Sequence, residues 1–292
     1  NISTLSQERY VLIYEQPQGN RLSDLMPKQK GRLSEKFVIR KLLIPLGAAL
    51  GHMEKLGYTH GKVNPENIYF GDEVVLGECC SEPCGYAQDF HYEPIARVQA
   101  QAIGKGKGTN ADDFYALGVL TCLLRYDSKI LAIQDQEQFK KRLLIDGPYI
   151  AFLGYRDLTD NISDFLRGTL HDSTFDRWSY KQVEGWSAGK RFHLLQPSIS
   201  GVSQRAIDIG GERYSNLRAL SDGIHTHWYQ SVSSIRDGSL GRWVELSARR
   251  RDIAVMMVQV QKSYRQSSLS EPMMDSMLVR VMNIVDPFAP LR

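Results

Sequence analysis

Between residues 60 and 78 the chain carries the side chains best able to do chemistry. They are the run His60-Gly61-Lys62-Val63-Asn64-Pro65-Glu66-Asn67 and, further on, Gly77-Glu78. An ammonium such as Lys62 can hold a phosphate, and a carboxylate such as Glu78 can hold a metal ion. Lys62 cannot act as a general base, because a lysine amine stays protonated near neutral pH. Other segments offer less. Gly104-Lys105-Gly106-Lys107-Gly108 invites a phosphate-loop reading, but that loop needs Gly-x4-Gly-Lys-Ser/Thr between a strand and a helix, and the spacing here does not supply it. A mobile loop ahead of a helix is the reading kept. His225 and His227 are two apart, diverge on a helix and cannot share a metal. Cys79, Cys80 and Cys84 lack a partner cluster with zinc-ligand spacing, and with Cys122 they read as reduced, partly buried thiols. Arg249-Arg250-Arg251 reads as a solvated helix face.

Positioning the 60–78 side chains takes a long helix ahead of them and a hairpin among them. Leu33-Ser34 supplies an N-cap for a helix predicted to run to about Leu56. Its residues Phe37, Leu42, Leu43, Leu46, Leu50 and Met53 are apolar near the helical period. Pro45 predicts a kink or break inside it, since an interior proline costs about 3 kcal/mol. Gly57 closes it as the C′ residue. Ile68-Tyr69-Phe70 and Val74-Val75-Leu76 read as two strands joined by a turn at Gly71-Asp72-Glu73. Upstream, Tyr10-Val11-Leu12-Ile13-Tyr14-Glu15 is β-rich and ends in a turn or linker at Gln16-Pro17-Gln18-Gly19-Asn20. From about Gln196 the pattern changes. Residues 197–211 read as a linker, and three helices are predicted near 212–235, 239–261 and 272–285. Their expected core contacts are Trp228, Leu240, Trp243, Val244, Leu278, Val281 and Met282.

Composition narrows the function classes. With 292 residues, 42% hydrophobic and 24% charged, the chain can bury one large or two modest cores. A net charge of +3 from 36 basic and 33 acidic residues gives no reason to expect a nucleic-acid or membrane partner. No apolar run is long enough to cross a bilayer and no signal-peptide pattern opens the chain, so a cytoplasmic location is expected. The start at Asn1, directly in a strand-like segment, reads as a fragment of something longer.

The run His60 to Asn67 resembles the catalytic loop of protein kinases, H-R-D-L-K-P-E-N, in which the Asp accepts the substrate hydroxyl proton and the Asn holds magnesium. Two further stretches extend the likeness to a bacterial-type Ser/Thr kinase large lobe. Asp112-Asp113-Phe114-Tyr115-Ala116-Leu117-Gly118 is similar to the start of the lobe's central buried helix, and Phe175-Asp176-Arg177-Trp178-Ser179 to its late arginine signature. The resemblance covers residues 10–191. It implies a mainly α fold with a small β component: a kinase-like C-lobe (α+β) at 21–195 and a helical domain at 196–292. Residues 1–20 would be the last small-lobe strand and hinge, with the rest of that lobe absent. It also implies that Asp113 braces the catalytic-loop backbone and that Arg177 pairs with an acidic residue, for which Glu93 in Tyr92-Glu93-Pro94 is the candidate.

Against the family pattern the chemistry fails at several positions. Lys62 stands for the base, Gly61 for the arginine that reads activation-loop phosphate, and Asn64 for the lysine that neutralises the transferred phosphoryl group. Gly77 stands for the aspartate of the D-F-G triplet. Asn67 keeps its metal-binding identity. Glu78 is one position late, and successive residues of an extended segment point to opposite sides, which makes it a poor replacement ligand. In the hinge, with Tyr14 as gatekeeper and Glu15 next, Pro17 takes the position whose N–H would donate to adenine and has none to give; that loss costs about 0.5–1.5 kcal/mol. The resemblance therefore implies a pseudokinase: an inactive homologue serving as a regulatory or scaffolding module for a protein partner. No cofactor is expected, and magnesium-ATP binding would be weak. The alternatives are an atypical kinase-fold enzyme using ATP for unusual phosphotransfer or nucleotidyl transfer, with Lys62 on phosphate and Glu78 on metal, or a lobe that merely supports working C-terminal helices.

Overall fold

The computed structural model describes residues 13, 15–26, 33–79, 86, 88–126, 128–156, 158, 161–193, 203, 205–265 and 268–287. They are mainly helical with two small sheets. The chain divides into two compact units. The first comprises Asn1–Pro94, Ala102–Ala132 and Phe152–Leu195, and the second Ile95–Gln101, Ile133–Ala151 and Gln196–Arg292. The second unit thus also takes two segments from inside the predicted 21–195 region.

In the first unit, short helix α1 spans Leu22–Leu25 and the predicted long helix begins as α2, Glu35–Val38. Ser34 caps α2, its hydroxyl accepting from the Phe37 N–H at 3.3 Å. A π-helical turn, Ile39–Leu43, then leads into α3, Ile44–Lys55. That turn is how the chain absorbs Pro45. A proline cannot donate to the carbonyl four residues back, and its ring clashes there; widening the preceding turn, with the Ile44 N–H bonded to the Ile39 carbonyl, lets the helix continue without a break. Gly57 ends α3 as predicted: its N–H bonds to the Glu54 carbonyl at 2.9 Å and the Tyr58 N–H to Met53 at 2.9 Å, the paired bonds of a Schellman stop. Leu42, Leu43, Leu46 and Leu50 are buried, but Phe37, expected in the core, is partly exposed and stacks on Phe70 at 5.8 Å.

The hairpin forms where predicted. β2 (Ile68–Phe70) and β3 (Val74–Leu76) pair with Ile68 opposite Leu76, and β1 (Asn20–Arg21) adds to the other edge of β2. Asn20, read as the end of a turn or linker, is therefore in a strand with Arg21. Of the predicted strand over 10–15, residues 10–12 and 14 lie outside the described residues, and Ile13 and Glu15 are not in a strand.

After helix α4 (Ile95–Val98), which belongs to the second unit, α5 spans Asn110–Arg125 at the centre of the first. Phe114, Tyr115, Leu117 and Leu120 on it are fully buried, and the apolar Phe114, Leu117 and Leu120 each favour the folded state by about 1.5–3 kcal/mol. Helix α6 (Gln136–Leu153) is broken at Gly147-Pro148, where Gly147 has φ 71°. Helices α7 (Ile162–Thr169) and α8 (Tyr180–Ser187) complete the first unit. Two glycines there allow close packing. A Cβ on Gly51 of α3 would lie 2.2 Å from the Tyr180 ring of α8, and one on Gly168 of α7 would lie 2.1 Å from the Trp178 indole.

In the second unit, part of the predicted linker is a hairpin. β4 (Ile207–Ile209) and β5 (Glu212–Tyr214) are joined by Gly210 and Gly211, both at positive φ as a tight two-residue turn requires. Predicted helix 212–235 is thus strand at its start, and its remainder is two helices, α9 (Leu217–Thr226) and α10 (Gln230–Arg236), separated at 227–229. Predicted helix 239–261 is likewise two, α11 (Ser239–Leu246) and α12 (Arg251–Ser263), with Arg249 at φ 55° between them. The last, α13, is Glu271–Val285. Leu240, Trp243, Val244, Leu278 and Val281 are buried as expected. Trp228 and Met282 are only half-buried, and the Trp228 indole N–H donates to Asp275 at 2.6 Å. Among the described residues no helix is long and apolar enough to cross a membrane.

Candidate functional site

The loop from His60 to Asn67 is held by α5 from below. The Asp113 carboxylate, at the first turn of α5 and almost fully buried, accepts the His60 N–H at 2.8 Å on Oδ2 and the Gly61 N–H at 2.8 Å on Oδ1. One carboxylate thus satisfies two consecutive backbone donors with charge-assisted bonds. Gly61 adopts φ 70°, a conformation that side-chain-bearing residues avoid, so the bend that presents both N–H groups to Asp113 favours glycine. The His60 ring is buried beneath the loop. Its Nδ1 accepts the Lys62 N–H at 3.2 Å, which leaves the ring proton on Nε2, facing the Gly77 carbonyl without completing a hydrogen bond to it. Burial dominates its chemistry and pushes its pKa down to about 4, so the ring is neutral near pH 7.

Further along, Asn64 caps the 3-10 turn Pro65–Asn67, its side-chain oxygen accepting the Glu66 N–H at 3.1 Å. Its amide nitrogen donates to Gln88 at 2.9 Å, and Gln88 in turn donates to the Val63 carbonyl at 3.1 Å. The Asn64 side chain is thus engaged with the loop's own surroundings. Nothing in the sequence signalled Gln88, which lies 24 residues from Asn64.

Asn67 joins the loop to the segment leaving β3. Its amide nitrogen donates to two backbone carbonyls, Lys62 at 3.0 Å and Glu78 at 2.8 Å, and its carbonyl accepts the Gly77 N–H at 2.7 Å. Gly77 makes that closeness possible. A Cβ there would lie 2.0 Å from the Asn67 side-chain oxygen, so a side chain at 77 and the present seat of Asn67 exclude each other. Glu78 follows, and its carboxylate is ion-paired to the Lys62 ammonium, each side chain being 25% exposed. The structure therefore brings His60, Gly61, Lys62, Asn64, Asn67, Gly77 and Glu78 together. Among the described residues, Glu15, which is exposed, and Pro17, which is half-buried, share no hydrogen bond or ion pair with them. Tyr14, read as preceding Glu15 in the hinge, lies outside the described residues, as do Cys80, Ser81 and Cys84.

Two ion pairs flank the group. Arg177 donates through Nη1 to Asp112 at 2.9 Å and through Nε to the His171 carbonyl at 3.1 Å, with its guanidinium 5.1 Å over the Tyr115 ring. Asp112 also accepts the Thr109 N–H at 2.9 Å in the capping box that starts α5. The Thr109-x-x-Asp112 spacing was the available signal for it. Glu93, 1% exposed, is ion-paired to Lys105. The glycine-lysine loop thus spends one of its ammonium groups internally.

Chemically, the centre of the group is one cation on one anion, beside the Asn67 amide bonded to backbone and the Asn64 amide bonded to Gln88. The Glu78 carboxylate is engaged by an ammonium, the Asp113 carboxylate by two backbone N–H groups, and the histidine is neutral and buried. Among the described residues no set of three or more His, Cys, Asp or Glu side chains could hold a metal ion. In the second unit His227 lies 3.7 Å from Glu212 and packs on Gly210, while His225 is exposed. Arg250 forms two bonds to Asp252, at 2.9 and 2.7 Å. Comparison with protein-family models finds no matching family, and comparison with curated proteins finds no significant match.

Proposed function

We propose that the chain is a degenerate kinase-like large lobe, a pseudokinase, joined to a helical C-terminal region and acting in the cytoplasm as a regulatory or scaffolding module for a protein partner. The observation that carries this reading is the Lys62–Glu78 ion pair on a loop braced by Asp113. Where the resemblance calls for a base there is an ammonium, and the nearest carboxylate is bound to it. A proton acceptor for a substrate hydroxyl must lie within hydrogen-bond reach of it in a form able to take the proton. Lys62 lacks that form, and Glu78 has a cation on its carboxylate. The brace from Asp113 supports architecture retained apart from chemistry.

The test is radiolabelled phosphotransfer from ATP to a panel of protein and peptide acceptors, with magnesium and with manganese. Transfer at background is expected. Robust transfer that Asn67→Ala abolishes refutes the proposal and favours an atypical kinase-fold enzyme.

A further inference from the structure

The likeness to kinases implies a divalent metal with bound nucleotide near Asn67 and the segment after β3, and the residues present do not fit one. Magnesium takes near-octahedral oxygen ligation and usually needs one or two carboxylates besides phosphate oxygens. Position 77 has no side chain, and a Cβ there would overlap the Asn67 side-chain oxygen at 2.0 Å. The Asn67 amide nitrogen is committed to the Lys62 and Glu78 carbonyls, so two backbone oxygens nearest the site are already accepting bonds. The Glu78 carboxylate, the remaining anionic group, is held by the Lys62 ammonium.

From this we propose that Lys62 is a tethered replacement for the metal. Its ammonium neutralises Glu78 and, beside the Asn67 bonds, ties the 60–67 loop to the segment leaving β3, as a bound divalent ion would. The site in the native chain is thereby closed to magnesium and manganese. The ammonium suits this role because it brings a single charge on a flexible stem, so it needs one carboxylate where a divalent ion needs several ligands. The inference rests on the proposed kinase-like reading for the place of the metal, but its test does not pass through catalysis.

The experiment is thermal unfolding of the full chain with and without manganese, repeated with magnesium, on the native protein, Lys62→Met and Lys62→Met/Glu78→Gln. Methionine keeps the length of the lysine stem and removes the charge. The native protein should show no metal-dependent shift. Lys62→Met should unfold at lower temperature and be raised by manganese, by ~3 °C at about tenfold excess over its dissociation constant for a unit of this size. The double variant should lose that response. Manganese stabilising the native protein as much as Lys62→Met overturns the proposal, as does a folded Lys62→Met that manganese leaves unchanged. Should Lys62→Met fail to fold, Lys62→Gln takes its place under the same criteria, and the native-protein arm stands by itself. Phosphotransfer above background would refute the proposed function and leave these curves to be read independently. A metal-stabilised native protein without phosphotransfer would refute the tethered cation alone.

Discussion

Replacing Asp113 by alanine should unfold the first unit more readily than any other single change to a charged residue near the loop. Its carboxylate is 1% exposed and accepts two backbone N–H groups at 2.8 Å, from His60, which is buried, and Gly61, which is partly so. Hydrogen bonds to a charged group contribute about 1.5–3 kcal/mol each, and a buried donor left without a partner costs about 1–3 kcal/mol. The two donors together therefore put the loss at about 3–5 kcal/mol. For a unit of this size each kcal/mol shifts the melting temperature by about 2–4 °C, so a drop of about 10 °C is expected. Asp113→Asn should lose about half as much, since its amide keeps one acceptor and turns an N–H against the other donor. Urea unfolding followed by fluorescence of Trp178 and Trp186, both in the first unit, gives the global loss. Amide hydrogen exchange at His60 and Gly61 gives the local one. A loss below about 1 kcal/mol, or unchanged protection of those two amides, would refute the account of Asp113 as the brace of the loop.

Other outcomes follow from the same group. His60 has its pKa lowered from 6.5 to about 4 by burial. Between those values the unfolded chain binds a proton that the folded chain does not, so stability is complete above pH 6.5 and falls on acidification, by up to about 3 kcal/mol near pH 4. Urea midpoints at pH 7 and pH 4.5 should show this, and His60→Gln should flatten the difference if the protein stays folded. Gly77→Ala should cost about 2 kcal/mol or more by forcing Asn67 out of its seat, read by thermal melting; equal stability to the native protein would mean that Asn67 has another place to go. Arg177→Met should cost about 3 kcal/mol by leaving Asp112 with its charge uncompensated, and Asp112→Asn in the same chain should recover part of it.

Local chemistry was legible in the sequence, and non-local pairing was not. Ser34 and Gly57 were found because a cap and a Schellman stop depend on neighbours within four or five residues. The 68–76 hairpin was found for the same reason. The breaks at 227–229 and 247–250 were missed because neither contains Gly or Pro; the second bends through Arg249 at positive φ, a conformation its residue type does not announce. Gly210-Gly211 was read as linker because its strands are only three residues each, too short to register as alternation. Pro45 was expected to kink the helix, and the sequence could not reveal that a widened turn would absorb it. At the site, Lys62 was read as a lost base and Glu78 as a late carboxylate. That the two face each other depends on the pairing of β2 with β3, which brings the end of β3 back to the loop.

The four residues Lys62, Asn67, Gly77 and Glu78 are mutually dependent. Gly77 gives Asn67 room to lie against the backbone; Asn67, so seated, bonds the Glu78 carbonyl and fixes where that residue leaves β3. Glu78 then meets Lys62, whose own carbonyl accepts from the same Asn67 amide. A carboxylate introduced at position 77 would collide with Asn67, and one introduced at position 62 would face Glu78 with like charge in place of an ion pair. Either substitution alone raises the energy of the folded chain before it offers any chemistry. Single-residue gain of a carboxylate at either position is therefore opposed by packing on one side and by charge on the other.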